Sequence, residues 1–196
     1  MKVSEEVIDN KPKLSILICS LLERNQLFLS KLLDIINLQI VDKPVEVLVL
    51  SDNAYRPIGT KRNDMLKIAK GEYVCFIDDD DRISDDYVDL ILKEIDEYSP
   101  DVVVFNAEIT FDGENPKLVR YGKEYDFSER EDAYYRHPNH LMVHRKSNIF
   151  EFYKDIKCGE DGEWAYRHLP RIKTQSRIDK ILYYYDYKTT TKKYYT

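Results

Sequence analysis

Four consecutive carboxylates, Asp78-Asp79-Asp80-Asp81, follow directly on the apolar run Tyr73-Val74-Cys75-Phe76-Ile77. Ionised carboxylates packed this closely repel one another and are costly to hold beside a core. A chain that puts them at the end of a buried strand calls for a cation there. All-oxygen donors suit a hard divalent ion, and Mg2+ or Mn2+ commonly bridges protein carboxylates to substrate phosphates. A second acidic pair lies in the glycine-flanked turn Cys158-Gly159-Glu160-Asp161-Gly162, ahead of a helical pattern. There Asp161 can act as a general base, or it can cap the helix. Asp52 closes another apolar run in the polar cluster Ser51-Asp52-Asn53, either as a ligand contact or as a plain turn residue.

The elements that must position these groups are legible in the first half. Residues 14–19, 45–50, 72–77 and 101–105 read as buried strands. Helical spacing fills the gaps between them: 24–39, then 61–70 with Gly71 as its stop, then a helix capped by Ser84 with Asp85 and Asp86 in its first turn. Strand-helix alternation predicts an α/β fold with a mostly parallel sheet flanked by helices. Right-handed crossovers then bring the strand C-termini to one edge, where open α/β sheets bind ligands. Asp52 and Asp78 to Asp81 share that edge. Lys61 and Arg62 start a helix beside it, a place that attracts a diphosphate or pairs with the acidic cluster at the surface.

Beyond residue 110 the pattern loosens. Residues 111–136 are charged and tyrosine-rich, and 140–144 reads as a strand with His140, Met142 and His144 on one face. A helix begins at Glu163 and ends before Pro170, and 178–187 reads as a last strand, Tyr183-Tyr184-Tyr185 included. Trp164 is expected in the core rather than against a ligand.

Composition narrows the class. The chain has 196 residues, 43% hydrophobic and 34% charged, which predicts one domain with a real core. No apolar run is long enough to span a bilayer and no signal-peptide core follows Met1, so a cytoplasmic protein is expected. The three cysteines lack metal-like spacing, and Cys19 and Cys75 lie in strand-like runs as buried thiols. A net charge of −6 disfavours broad binding to nucleic acid, while the tail from Lys188 to Tyr195 with Arg130, Arg136 and Arg145 offers a local basic surface.

Three motifs in order now carry a resemblance: Ile58-Gly59-Thr60-Lys61-Arg62-Asn63, then Ala69-Lys70-Gly71-Glu72-Tyr73, then Phe76-Ile77-Asp78-Asp79-Asp80-Asp81. Gly159-Glu160-Asp161 and the tyrosine-rich run 181–185 follow. The set resembles family 2 glycosyltransferases of the Rossmann-like GT-A fold, over most of residues 13–187. The turns after residues 19 and 50 depart from the family pattern. The resemblance implies a single domain over 1–196, with a nucleotide-sugar half at 13–110 and a smaller, mixed acceptor-side half at 111–196.

It also implies roles. Asp80 takes the third position of the family's Asp-x-Asp motif and would hold Mn2+ or Mg2+, with His140 as a further ligand. Ser20, Asp52, Lys61, Arg62, Asn63, Asp78 and Asp79 would contact a nucleotide-diphosphate sugar, UDP-linked by preference. Asp161, or else Glu160, would be the base of an inverting transfer to an acceptor hydroxyl. The acceptor expected is a glycan or envelope precursor, with a hydroxymethylated base of phage DNA as a second reading. The alternatives are a degenerate domain that binds the sugar nucleotide without transfer, and a nucleotidyltransferase. The second is disfavoured because the turn after Ile18 holds no glycine.

Overall fold

The computed structural model describes residues 11–150, 152–156 and 158–188. In chain order the elements are β1 (Leu14–Leu21), α1 (Ser30–Gln39), β2 (Val45–Asp52), α2 (Ile58–Ile68), β3 (Tyr73–Phe76), β4 (Arg82–Ile83), α3 (Tyr87–Tyr98) and β5 (Val102–Phe111). Then follow β6 (Glu114–Tyr121), β7 (Ser128–Glu129), β8 (Ala133–Arg136), β9 (Val143–Arg145), α4 (Glu160–His168) and β10 (Gln175–Tyr187).

All ten strands form one sheet. β1 lies parallel between β2 and β3, and β5 runs parallel to β10 along its whole length. The sheet is mostly parallel, as expected, with β9 inserted antiparallel between β3 and β5. Its three residues satisfy backbone groups on both neighbours that would otherwise be left unpaired. The sequence pattern over 140–144 marks a strand here but not its place or direction in the sheet. Beyond β9, β6 pairs with the rest of that edge of β5, and β8 and β7 extend outward from β6.

Helices cover both faces of the central strands, so those strands are apolar almost throughout. Leu14, Ile16, Ile18, Cys75 and Ile77 pack with Leu32 and Ile36 of α1 and Val88 and Ile91 of α3. Leu17, Cys19, Val74 and Phe76 pack on the opposite side with Met65 and Leu66 of α2 and Trp164 and Ala165 of α4. Among the described residues no helix is long and apolar enough to cross a membrane.

Several local expectations change. The helix expected over 24–39 opens with a 3-10 turn (Leu22–Arg24) and a π turn (Asn25–Leu29), and becomes α-helical only at Ser30. Gly71 is not a helix cap, because α2 ends at Ile68 and Ala69 is already extended. Gly71 is required by a close approach instead: a Cβ there would stand 2.5 Å from the Ser15 hydroxyl. The N-cap of α3 is Asp86, and Ser84 bonds to the Asp86 carboxylate at 2.9 Å rather than to a helix N–H. The segment 111–136 contains β6, β7 and β8, whose partly exposed faces give a weak hydrophobic signal. Residues 1–10 and 189–196 lie outside the described residues, and with them nearly all of the basic tail. Lys188, at its start, pairs with Asp186.

Candidate active site

Parallel register sets the site. Leu21 of β1 faces Asp52 of β2, and Leu17 faces Phe76 of β3, so the three strands end at one edge. The acidic run continues from β3 at that edge. Because β9 runs the other way, the turn leading into it arrives at the same place, and the Phe76 N–H donates to the His140 carbonyl at 2.9 Å. The expected strand 140–144 is therefore a turn at His140 and a strand only from Val143. His144 points away into the core, edge-on to Trp164 and to His168. α4 completes the edge with Glu160 and Asp161 in its first turn.

The start of α2 distributes three side chains in three directions, as successive helical residues must at about 100° apart. Lys61 is buried and reaches Asp52 Oδ1 at 3.0 Å and the Ser20 carbonyl at 3.3 Å. Arg62 is buried on another side, 2.5 Å from Glu160 Oε1 and 3.3 Å from Asp78 Oδ1, between the rings of Phe76 and Tyr153. Asn63, expected at the nucleotide sugar, uses both ends of its amide on the Tyr153 backbone, at 2.8 Å each. The two cations are thus buried partners of acids, not surface charges. Gly59 permits this packing, since a Cβ there would lie 2.4 Å from the Lys154 carbonyl.

The carboxylates occupy different environments. Asp52 accepts from the backbone N–H groups of Ala54 and Arg56, both at 3.1 Å, as well as from Lys61. Burial opposes its ionisation, but the Lys61 bond and these N–H groups hold it below the usual range. Asp78 is also held below that range: burial works against it, and His140 and Arg62 overcome it. Burial pushes Asp79 up despite the hydroxyl of Ser20, which donates to it at 2.6 Å. Burial and repulsion from Asp78 push Asp81 up well beyond the ordinary range. Tyr183 of β10 pins this run: its hydroxyl accepts from the Asp78 N–H at 3.0 Å and donates to Asp81 at 2.6 Å. Asp80 is the outward member, with its side chain 45% exposed.

His140 stands between the two acidic groups. Its Nε2 is 3.4 Å from Asp78 Oδ2, and its Nδ1 is 3.5 Å from Asp161 Oδ2, an ion-pair separation outside hydrogen-bond geometry. Asn139 Nδ2 lies 3.4 Å from the same Asp161 oxygen. The capping reading of Asp161 fails, because Gly159, with φ at +78°, is the N-cap and no side chain caps the helix. The side chain of His140 thus faces the carboxylates of Asp78 and Asp161.

Among the described residues no three His, Cys, Asp or Glu side chains are grouped to hold a metal by themselves. The donor chemistry fits a metal shared with substrate, which usually takes only one or two protein carboxylates. Asp79 Oδ1, at 2.9 Å, and Asp80 Oδ2 converge on the same guanidinium nitrogen of Arg24. Two carboxylates from neighbouring residues thus already grip one positive group.

Sequence reasoning missed Arg24, Tyr183, Asn139 and the Arg62–Glu160 pair. Arg24 was read as part of a helix, and a lone cation ahead of an apolar stripe was the signal available. Arg145, grouped earlier with a basic surface, pairs with Glu72 at the opposite end of β3. Arg136 lies over the Phe127 ring at 3.9 Å and bonds Glu129 at 3.1 Å.

Solved structures of S. aureus TarS share this fold. The complex with UDP-GlcNAc superposes with a TM-score of 0.63 at 19% identity, over 89% of this chain and 58% of that one. The complex with UDP gives 0.64 at 19% identity, over 89% and 60%. The Streptococcus pneumoniae serotype 4 protein "Glycosyltransferase GlyA" is 34% identical over 130 residues, which is 62% of this chain. The chain spans only 16% of that relative's length. The sequence model of the family described as Glycosyl transferase family 2 matches residues 30–167, well over half of the chain. With its GT-A sheet and the acidic edge built on it, the chain belongs to glycosyl transferase family 2.

Proposed function

We propose that the chain transfers a sugar from a nucleoside diphosphate sugar to an acceptor hydroxyl, with inversion at the anomeric carbon. The observation that carries this reading is the meeting of two carboxylates on one imidazole, Asp78 at 3.4 Å and Asp161 at 3.5 Å from His140. One belongs to the donor edge of the sheet and the other to α4. Inverting displacement needs a leaving group on one side of the sugar and a base on the other. Asp161 is the base in this reading, because its side chain is 33% exposed while Glu160 is buried against Arg62. Asp161 takes the proton of the acceptor hydroxyl as the oxygen attacks.

Ser20, Asp52 and Lys61 form the floor for the nucleoside, and Asp78 orients the sugar. Arg62 and Asn63 act from behind, by fixing Asp78 and the 152–156 segment. Asp80, with Asp79, would hold a divalent ion, Mn2+ or Mg2+, together with the diphosphate. When bound, such an ion neutralises charge on the departing nucleoside diphosphate. The TarS complexes with UDP-GlcNAc and UDP support a UDP-linked donor. A glycan hydroxyl is the acceptor class proposed, since Arg136 and Arg145 are engaged within the protein.

The test is nucleotide release from a panel of UDP-, GDP- and CDP-sugars with Mn2+, with and without glycan acceptors and hydroxymethylated DNA. Release with one donor, quickened by a glycan, is expected. Acceleration by DNA instead would replace the acceptor class. No release from any donor, with no donor-dependent thermal shift, would overturn the reading.

A further inference from the structure

The geometry points to Arg24 as an internal stand-in for the divalent ion: it neutralises Asp79 and Asp80 until metal and diphosphate arrive, then yields the carboxylates and turns to the diphosphate. The inference rests on the metal-dependent reading above. Three observations carry it.

The first is the shared nitrogen. One guanidinium nitrogen of Arg24 meets Asp79 Oδ1 at 2.9 Å and Asp80 Oδ2 more closely still. The carboxylates therefore present their oxygens to one point, as they would to an ion. A cation entering there competes directly with Arg24, since both cannot occupy it.

The second is how differently the run's other members are held. Asp78 is fixed by Arg62 and His140, and Asp81 by Tyr183. Those partners sit on α2, on the turn before β9 and on β10, all packed into the core. Arg24 comes from the junction of a 3-10 turn and a π turn. π turns of this kind gather at functional positions. The Arg24 side chain is 25% exposed and lies over the ring of Phe28 at 5.3 Å. It is more exposed than Arg62, His140 and Tyr183, the partners that hold Asp78 and Asp81.

The third is charge balance. When a diphosphate and a divalent ion arrive together, the ion takes over the carboxylates and the diphosphate brings new negative charge beside the displaced guanidinium. Arginine binds phosphate oxygens in a bidentate fork. The exchange thus couples metal to donor: each binds better when the other is present, because Arg24 loses one anionic partner only as it gains another.

Isothermal titration of Mn2+ into wild type and Arg24→Gln, with and without UDP, tests this. Without UDP, Arg24→Gln is expected to bind Mn2+ about five- to tenfold more tightly, the scale of one lost competing ion pair. With UDP, the advantage is expected to shrink or reverse, because the diphosphate loses its arginine. Unchanged or weaker Mn2+ binding by a natively melting Arg24→Gln overturns the proposal while leaving the metal reading intact. If neither protein binds Mn2+ even with UDP, both readings fall. Should Arg24→Gln not fold, the wild type suffices: in 15N-arginine-labelled protein, Mg2+ with UDP must shift the Arg24 side-chain resonance, assigned with Arg24→Lys. A resonance that stays fixed under saturating Mg2+ and UDP overturns the exchange.

Discussion

The two sides of the candidate site are built in opposite ways. On the donor flank, Asp52 and Asp78 are each joined to a buried cation, Lys61 and Arg62, that is anchored in α2. On the acceptor flank, among the described residues, Asp161 is met by His140 and Asn139 at 3.5 and 3.4 Å. A group that recognises benefits from a fixed position, and fixing it costs no reactivity. A base that must gain a proton is better left with few strong partners. On the reading proposed above, binding belongs to the first flank and chemistry to the second.

The sharpest way to break this contrast is Asp161→Asn. Transfer is expected to fall by roughly 10³-fold, the scale of a lost general base, while donor affinity stays within about twofold. Equal losses in turnover and in calorimetric donor binding would return Asp161 to the binding flank.

Arg62→Met should show the reverse bias. It leaves Glu160 and Asp78 without their buried partner, at a cost of about 3 kcal/mol in urea unfolding. Because Asp78 is 36% exposed, its share of that loss is screened. A variant as stable as wild type would mean the donor flank is not anchored through α2.

Acid should separate the flanks next. Burial lowers His144, behind α4, from 6.5 to about 3. The unfolded chain therefore binds a proton there that the native state refuses, so stability is lost as pH falls below 6.5. Between pH 7 and 5 this amounts to about 2 kcal/mol. The depressed carboxylates Asp52 and Asp78 work lower: their contribution is whole above about pH 4 and goes only as pH drops further. Trp164, the single tryptophan, stacks on His168 at 4.7 Å and meets His144 edge-on. Urea midpoints followed by its fluorescence should fall between pH 7 and 5, and a flat midpoint there would remove His144 from the account.

Tyr183→Phe is the mildest change. It deletes one hydroxyl bonded to both the Asp78 N–H and Asp81, for about 1–2 kcal/mol. Its kinetic mark should be a raised Mn2+ requirement with turnover at saturation little changed. A loss confined to turnover would argue that β10 acts on the acceptor flank instead.

Much of the donor flank is legible in the sequence, because strands covered on both faces are apolar without interruption and end in their polar residues. Asp52, Lys61, Arg62 and Asp78 could be placed at one edge on that ground alone. The acceptor flank is not legible in this way. The pattern over 140–144 reads as a strand without saying where it inserts, and β6 and β8 are half-exposed in a stretch that reads as charged and weakly patterned. Partnerships escape the sequence even where positions do not. Nothing in the order Lys61-Arg62-Asn63 says that three neighbours serve β2, α4 and the Tyr153 backbone in turn. The tyrosine run was read as strand, correctly, yet the one hydroxyl that pins the acidic turn cannot be singled out from its neighbours without the register of β10.

The insertion of β9 between β3 and β5 has a consequence for the life of the chain on the ribosome. Residues 14 to 111 emerge before residues 143–145, so two of their strands, β3 and β5, face an empty slot until β9 follows. Such a nascent chain exposes unpaired edges that invite the wrong partner. The sheet can close only after residues 143–145 have emerged, so a gene cut between the two halves should yield a fragment that sticks rather than folds.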